Sequence, residues 1–237
     1  MLRTMMLASA LAFGLAGPAG ATTISFTSSG AFSNITNCSN FCSIGSSGGG
    51  TNNMLDLSGS NNGTLTADNL SFTGSTPLNN VTIGSLTWAD RNASDFDPNF
   101  GATYTLTINF TAPNVDAASE AFTLAVAQAS GNTADTISGL TISAAALPGT
   151  INLPGIAVSD LHFAVSGGAG SFADGTWSVP PCGQGTNRSC TATSTLLLDA
   201  DFAVAPASVP EPMTILLLGS GLFGLGFTVR GRSAAAR

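Results

Sequence analysis

The chain has 237 residues with thirteen acidic side chains against six arginines, and it contains no lysine. Four of the arginines (Arg3, Arg230, Arg232 and Arg237) lie near the ends. Two arginines and twelve acids therefore remain between residues 22 and 208, a net charge of −10. Such a surface repels nucleic acid and anionic lipid, and both are excluded as partners.

The N-terminus reads as a secretory signal. Arg3 supplies the positive region and Met5–Leu15 the apolar region, and Ala19-Gly20-Ala21 fits the small-x-small cleavage rule. The expected division is a signal peptide over 1–21, a body over 22–208 and a C-terminal segment over 209–237. The body is long enough for one domain with its own core.

Ile24, Phe26, Phe32 and Ile35 form a broken alternation over Thr22–Thr36, the first expected strand. Residues 38–53 read as a loop of Ser, Gly and Asn. Over Thr64–Thr73 the apolar positions are Leu65, then Leu70 and Phe72. Over Val81–Trp88 they are Val81 and Ile83, then Leu86 and Trp88, with Gly84 as the expected bulge between two phases. Tyr104–Phe110 alternates most regularly, with Tyr104, Leu106, Ile108 and Phe110 against Thr105, Thr107 and Asn109. Ala121–Ala129, Thr136–Ser143, Leu161–Val165 and Thr195–Val204 complete the series, punctuated by Gly and Pro. No helical period lasts beyond about two turns in the body. The expected fold class is all-β, an antiparallel β-sandwich ectodomain, with an N-terminal signal peptide and one C-terminal transmembrane helix.

The four cysteines form two tight pairs in sequence, Cys38 with Cys42 and Cys182 with Cys190. An even count in an exported chain reads as two disulfides, and three pairings are open. The local pairing is favoured because each bridge would pin a loop rich in Gly, Ser and Asn. A zinc site is disfavoured, because these spacings do not match a zinc ribbon.

Asp90, Asn92, Asp95 and Asp97 make the densest cluster of oxygen ligands, and Asp199 and Asp201 are candidates to join them. Such a set could ligate calcium, which takes six to eight oxygens, although the loop lacks the glycine and terminal Glu of an EF-hand. The simpler reading is a solvated loop with Asx-turns, in which Arg91 pairs with a neighbouring carboxylate. No cofactor motif is present.

General bases are scarce. His162 is the only histidine and alternates with Leu161 and Phe163 in an expected strand, the pattern of a surface or edge position. No Gly-x-Ser-x-Gly occurs, and Glu120 is the body's only Glu, in a stretch that reads as a loop. The chain is expected not to be an enzyme. A glycoside hydrolase, which needs two carboxylates at a set separation, is the alternative in that class. Trp88, Trp177 and Tyr104 are of the type that stacks on sugar rings, but at strand positions aromatics are more often core.

The C-terminus begins with Val209-Pro210-Glu211-Pro212. Seventeen residues without a charge follow, Met213–Val229, and then Arg230-Gly231-Arg232. At about 1.5 Å per residue the uncharged run reaches roughly 25 Å as a helix, the low end of a membrane span. The prolines mark a boundary before it, and the arginines are expected on the cytoplasmic side.

This order resembles the PEP-CTERM sorting signal of Gram-negative bacteria. The resemblance implies recognition by an exosortase, an integral-membrane cysteine transpeptidase, at the inner membrane. It also implies removal of the span and passage to the cell surface or exopolysaccharide matrix. Val209, Pro210, Glu211, Pro212, Arg230 and Arg232 are the sorting residues it marks, and Ala19 and Ala21 mark the signal-peptide cleavage. Within the body, Ile83-Gly84-Ser85-Leu86-Thr87-Trp88, the long alternating stretch Thr103–Pro113, and Asp174-Gly175-Thr176-Trp177 followed by Ser194–Ala200 are similar to the choice-of-anchor K ectodomains. That resemblance covers roughly Thr22–Val204 and implies no activity. The expected function is that of an exported surface or matrix protein, structural or associated with exopolysaccharide. The alternatives are a lectin-like carbohydrate-binding module, with or without calcium, and a matrix polysaccharide hydrolase.

Overall fold

Alternating apolar and hydroxyl-bearing residues dominate the body, and they fold as strands. The computed structural model describes residues 21–38, 42–57, 63–91, 99–128, 134–143, 147–180 and 191–205, with backbone alone at 90, 91, 148, 149 and 191. All of them belong to one folding unit. In chain order the strands are β1 (Thr23–Thr36), β2 (Ser43–Gly45), β3 (Met54–Asp56), β4 (Thr64–Ala67), β5 (Leu70–Ser75), β6 (Leu78–Arg91), β7 (Asn99–Ala112), β8 (Asp116–Ala127) and β9 (Asp135–Ser138). After a single helical turn, α1 (Leu147–Thr150), come β10 (Ile156–Gly168), β11 (Ser171–Ala173), β12 (Thr176–Val179) and β13 (Thr191–Val204).

Two antiparallel sheets result. One has seven strands in the order β11-β12-β9-β8-β7-β1-β5, and the other has six in the order β10-β13-β6-β4-β3-β2. They stack as a β-sandwich, and aromatic pairs join them. Phe26 and Phe110 of the seven-stranded sheet each lie 6.3 Å from Phe202 of β13. Phe122 of β8 meets Phe163 of β10 edge-on at 5.7 Å, and Trp88 of β6 meets Trp177 of β12 edge-on at 5.5 Å. Edge-to-face pairs of this kind add to the area that each ring buries.

The period-two pattern governs which residues face inward. In β7, Phe100, Ala102, Tyr104, Leu106, Ile108 and Phe110 are all buried, while Thr103, Thr105, Thr107 and Asn109 point away from the core. The bulge expected near Gly84 is present. Thr82 pairs with Asp199 and Gly84 with Leu198, so Ile83 is the extra residue. The inward set accordingly changes from Val81 and Ile83 to Leu86 and Trp88.

The structure departs from the sequence expectations in four places. The apolar pattern over Thr64–Thr73 is not one strand. It splits at Asp68 and Asn69 into β4 in one sheet and β5 in the other. Asp68 holds this crossing point: its Oδ2 accepts hydrogen bonds from Ser85 Oγ at 2.8 Å and Thr87 Oγ1 at 3.3 Å, and its N–H donates to the Ser85 carbonyl. The stretch over 38–53 carries β2, and the turn after it is pinned by the buried Asn53, which accepts from Ser47 N and donates to the Ala67 carbonyl. The short strands β3, β11 and β12 were not expected, being too brief to show a period. Glu120 lies not in a loop but in β8, on its inward face.

The start of β1 and the end of β13 lie at one pole of the sandwich. The Thr76 N–H donates to the Thr22 carbonyl beside the start of β1, and Phe202 near the end of β13 pairs with Leu78.

Candidate functional site

Most of the residues singled out in the two terminal signals fall outside the described residues: Ala19, Val209, Pro210, Glu211, Pro212, Arg230 and Arg232. Ala21 is exposed, two residues ahead of β1. Among the described residues no helix is long and apolar enough to cross a membrane. Cys38 and Cys42 form a disulfide, their Cα atoms 6.1 Å apart. Cys182 and Cys190 lie outside the described residues.

Of the candidate calcium ligands, Asn92, Asp95 and Asp97 are likewise outside. Asp90 is the penultimate residue of β6, opposite Ala192. Asp199 sits seven residues further along β13, opposite Thr82, which places it roughly 23 Å away from Asp90 along the strand. Asp199 and Asp201 are therefore not brought to the Asp90 end. Each is engaged where it stands: Asp199 accepts from Thr82 Oγ1 at 2.8 Å and Asp201 from Asn80 N at 2.8 Å.

The aromatic candidates are core residues. Trp88 and Trp177 are fully buried and Tyr104 is 3 % exposed, so none is placed to stack on a sugar. The Trp177 indole N–H donates to Ser194 Oγ at 3.2 Å. Burial, reinforced by the Asp68 carboxylate, pushes the Tyr104 phenol well above its ordinary pKa. His162 lies on β10, an edge strand, and its ring is half-exposed with Nδ1 at 2.8 Å from the Asp160 carbonyl. Glu120 is 5 % exposed, and its Oε1 accepts the Ser143 N–H at 2.6 Å. Its Oε2 is buried without a hydrogen-bond partner among the described residues. Four residues earlier on the same inward face, Asp116 accepts from Asn152 N at 2.7 Å. The two carboxylates of β8 thus grip both ends of the segment that leads into and out of α1.

The outer face of the seven-stranded sheet was not anticipated as a site. Its outward positions are Thr27, Ser29 and Ser33 on β1, Thr103 to Thr111 in alternation on β7, Ser119 and Thr123 on β8, and Ser71 and Thr73 on β5, interspersed with Ala, Asn and Gly. Among the described residues this face carries no charged and no large apolar side chain. Towards the pole opposite the chain ends it hollows into an open groove of about 460 Å³. One wall is the end of β1. There the register slips between Ser33 and Thr36, and Asn34 takes a left-handed φ of 52°, a conformation Asn tolerates better than most residues. Asn37 is also left-handed, at 58°. The floor is Gly101, Thr103, Thr123, Ala125 and Ala127, and Ser138 of β9 stands on the far side. A Cβ at 101 would lie 2.6 Å from Thr36 Oγ1, so a larger residue there requires that hydroxyl to turn away. The signal for this groove was in the sequence as the Thr-x-Thr-x-Thr run of β7. Its neighbours across the sheet were not.

No family model matches the chain, and no match is found among curated proteins or among solved structures.

Proposed function

We propose that the chain is an exported surface or extracellular-matrix protein of a Gram-negative cell, structural in role and associated with exopolysaccharide. Residues 1–21 act as the signal peptide. Residues 209–237 present the β-sandwich to an exosortase at the inner membrane, with 213–229 as a transient membrane helix and cleavage in or near Val209–Pro212. The observation that carries this reading is the C-terminal order of Val209-Pro210-Glu211-Pro212, an uncharged run of seventeen residues, and Arg230-Gly231-Arg232. The absence of lysine and the acidic, hydroxyl-rich body are consistent with a protein that works outside the cell.

The test is the intact mass of the protein recovered from the membrane and from the medium of its host. A mass running from Thr22 to about Val209, with or without a carbohydrate adduct, supports sorting and release. A protein that keeps Met213–Arg237 and stays in the membrane overturns it and leaves an ordinary tail-anchored ectodomain.

A second reading, a carbohydrate-binding module, is favoured by one observation: the sandwich has a face without charge among the described residues, hollowed at one end and rimmed by amides and hydroxyls.

A further inference from the structure

We infer that the groove on the outer face of the seven-stranded sheet binds a neutral polysaccharide. The inference deepens the association with exopolysaccharide proposed above and rests on that reading for its setting, but the binding itself is a property of the sandwich alone.

Charge selects the class of ligand. Between residues 22 and 208 the chain carries a net charge of −10. None of the described acids faces outward from this sheet. Asp116, Glu120 and Asp135 lie on inward positions, Asp68 is bound at the sheet crossing, Asp56, Asp90, Asp160, Asp199 and Asp201 belong to the other sheet, and Asp174 lies in the β11–β12 turn. A polyanion approaching the protein is repelled by the field of the whole molecule, and a cationic ligand finds no counter-charge among the described residues that line the groove. A neutral polymer meets neither obstacle.

Hydrogen bonding narrows the class further. The side-chain amides of Asn34, Asn37 and Asn99 border the groove, all three residues are exposed, and none makes a side-chain hydrogen bond among the described residues. Each offers two donor hydrogens and one acceptor oxygen. The hydroxyls of Thr103 and Thr123 add groups that both donate and accept. A sugar hydroxyl is also donor and acceptor at once, so this rim matches it in either sense. The small floor of Gly101, Ala125 and Ala127 leaves space for the C–H face of a pyranose ring.

The same chemistry points to a polymer rather than a monosaccharide. Since Trp88, Trp177 and Tyr104 are buried, no described aromatic platform supplies strong affinity at one position. The groove instead opens onto the hydroxyl track of β7, where Thr103, Thr105, Thr107, Asn109 and Thr111 recur at about 6.8 Å intervals. Weak contacts repeated along a chain then supply the affinity.

The experiment is affinity gel electrophoresis of the protein as purified from its host. The gels contain dextran, laminarin, mannan, galactomannan or the neutral fraction of the host's own exopolysaccharide, with carboxymethyl-dextran as the charged counterpart. At least one neutral polymer is expected to retard the protein, and carboxymethyl-dextran is not. Two variants locate the site. Asn34→Gly/Asn37→Gly/Asn99→Ala removes the amides while keeping the left-handed backbone positions feasible. Ala125→Ile fills the floor with a side chain that strands accept. Each is expected to weaken binding about tenfold or more, with an unchanged melting temperature. The inference is overturned by failure of every neutral polymer to retard the protein, by retardation that both variants retain, or by a solution dimer that covers this face. Intact mass separates this failure from that of the sorting reading: a trimmed protein that binds nothing refutes the groove alone, and an untrimmed one that binds refutes sorting alone.

Discussion

The ring of Tyr104 occupies the space that a side chain at Gly30 would need. A Cβ built on Gly30 lies 2.5 Å from Tyr104 Cε2, 2.9 Å from its hydroxyl oxygen and 2.6 Å from Ala67 Cβ. Gly30 is a paired residue of β1, and Tyr104 is held between Phe32 and Phe122, with ring centroids 5.4 Å and 5.7 Å away. The ring therefore has nowhere to move. Gly30→Ala is expected to destabilise the protein by about 3 kcal/mol, as overpacking of a closed core does. Denaturant unfolding measures it. In a double-mutant cycle, Tyr104→Leu should reduce the penalty of Gly30→Ala, and strictly additive effects would rule out this contact as its cause.

Tyr104 is also the only tyrosine of the chain, so its titration can be read without ambiguity. Burial and Asp68 raise its pKa in the folded state. The folded chain then keeps a proton that the unfolded chain releases from about pH 10 upward. Stability from this group is complete below that pH and falls as the pH rises beyond it. Phenolate absorbance is expected to appear together with loss of the β-sheet circular dichroism signal, not before. Tyr104→Phe should flatten the alkaline slope of the melting temperature. Phenolate forming near pH 10 in a protein that is still folded would contradict the burial argument.

Glu120 and Asp116 hold the segment around α1. Removing a buried hydrogen-bonded carboxylate costs about 1–3 kcal/mol. Glu120→Ala is expected to lose that much and to speed amide exchange over residues 139–155. Glu120→Gln keeps a carbonyl oxygen for the Ser143 N–H and should lie within about 1 kcal/mol of the parent. Exchange that is unaltered in Glu120→Ala would show that the segment is held by its apolar contacts, Leu147 and Leu153, and not by the carboxylate.

Peptide mapping without reduction should recover Cys38 linked to Cys42, and Cys182 linked to Cys190. A cross-link between the two pairs would refute the local pairing. Because the first loop is only five residues long, Cys38→Ser/Cys42→Ser is expected to lower stability by no more than about 2 kcal/mol. Thermal unfolding with and without reductant provides the measurement.

The long strands were legible because their periods are long. Over Tyr104–Phe110, four apolar positions alternating with three polar ones read as a half-buried strand, and β7 carries the same alternation over Asn99–Ala112. The phase change at Gly84 was equally plain, and it became a bulge. A similar change of phase between Leu65 and Leu70 had a different outcome, a crossing between sheets at Asp68. Period alone does not distinguish a bulge from a crossing, since both shift the inward set by one residue. The crossing depends on a contact distant in sequence, between Asp68 and β6. A carboxylate flanked by Ala and Ser reads as a loop residue, whereas the inward position of Glu120 is stabilised by the Ser143 N–H, which no local pattern predicts. The groove was hidden for a related reason. Its hydroxyl and amide residues are visible one strand at a time, but β1 lies between β5 and β7 only through long-range pairing.

The two poles of the sandwich differ in what they carry. The chain enters β1 and leaves β13 at one end, beside Thr76 and Leu78, while Asn34 lies about 35 Å further along β1 towards the other. A body held by either of its chain ends therefore keeps Asn34, Asn37 and Asn99 at its far tip. The length of the strands acts as a spacer between the pole where the chain enters and leaves the sandwich and the groove inferred to bind polysaccharide.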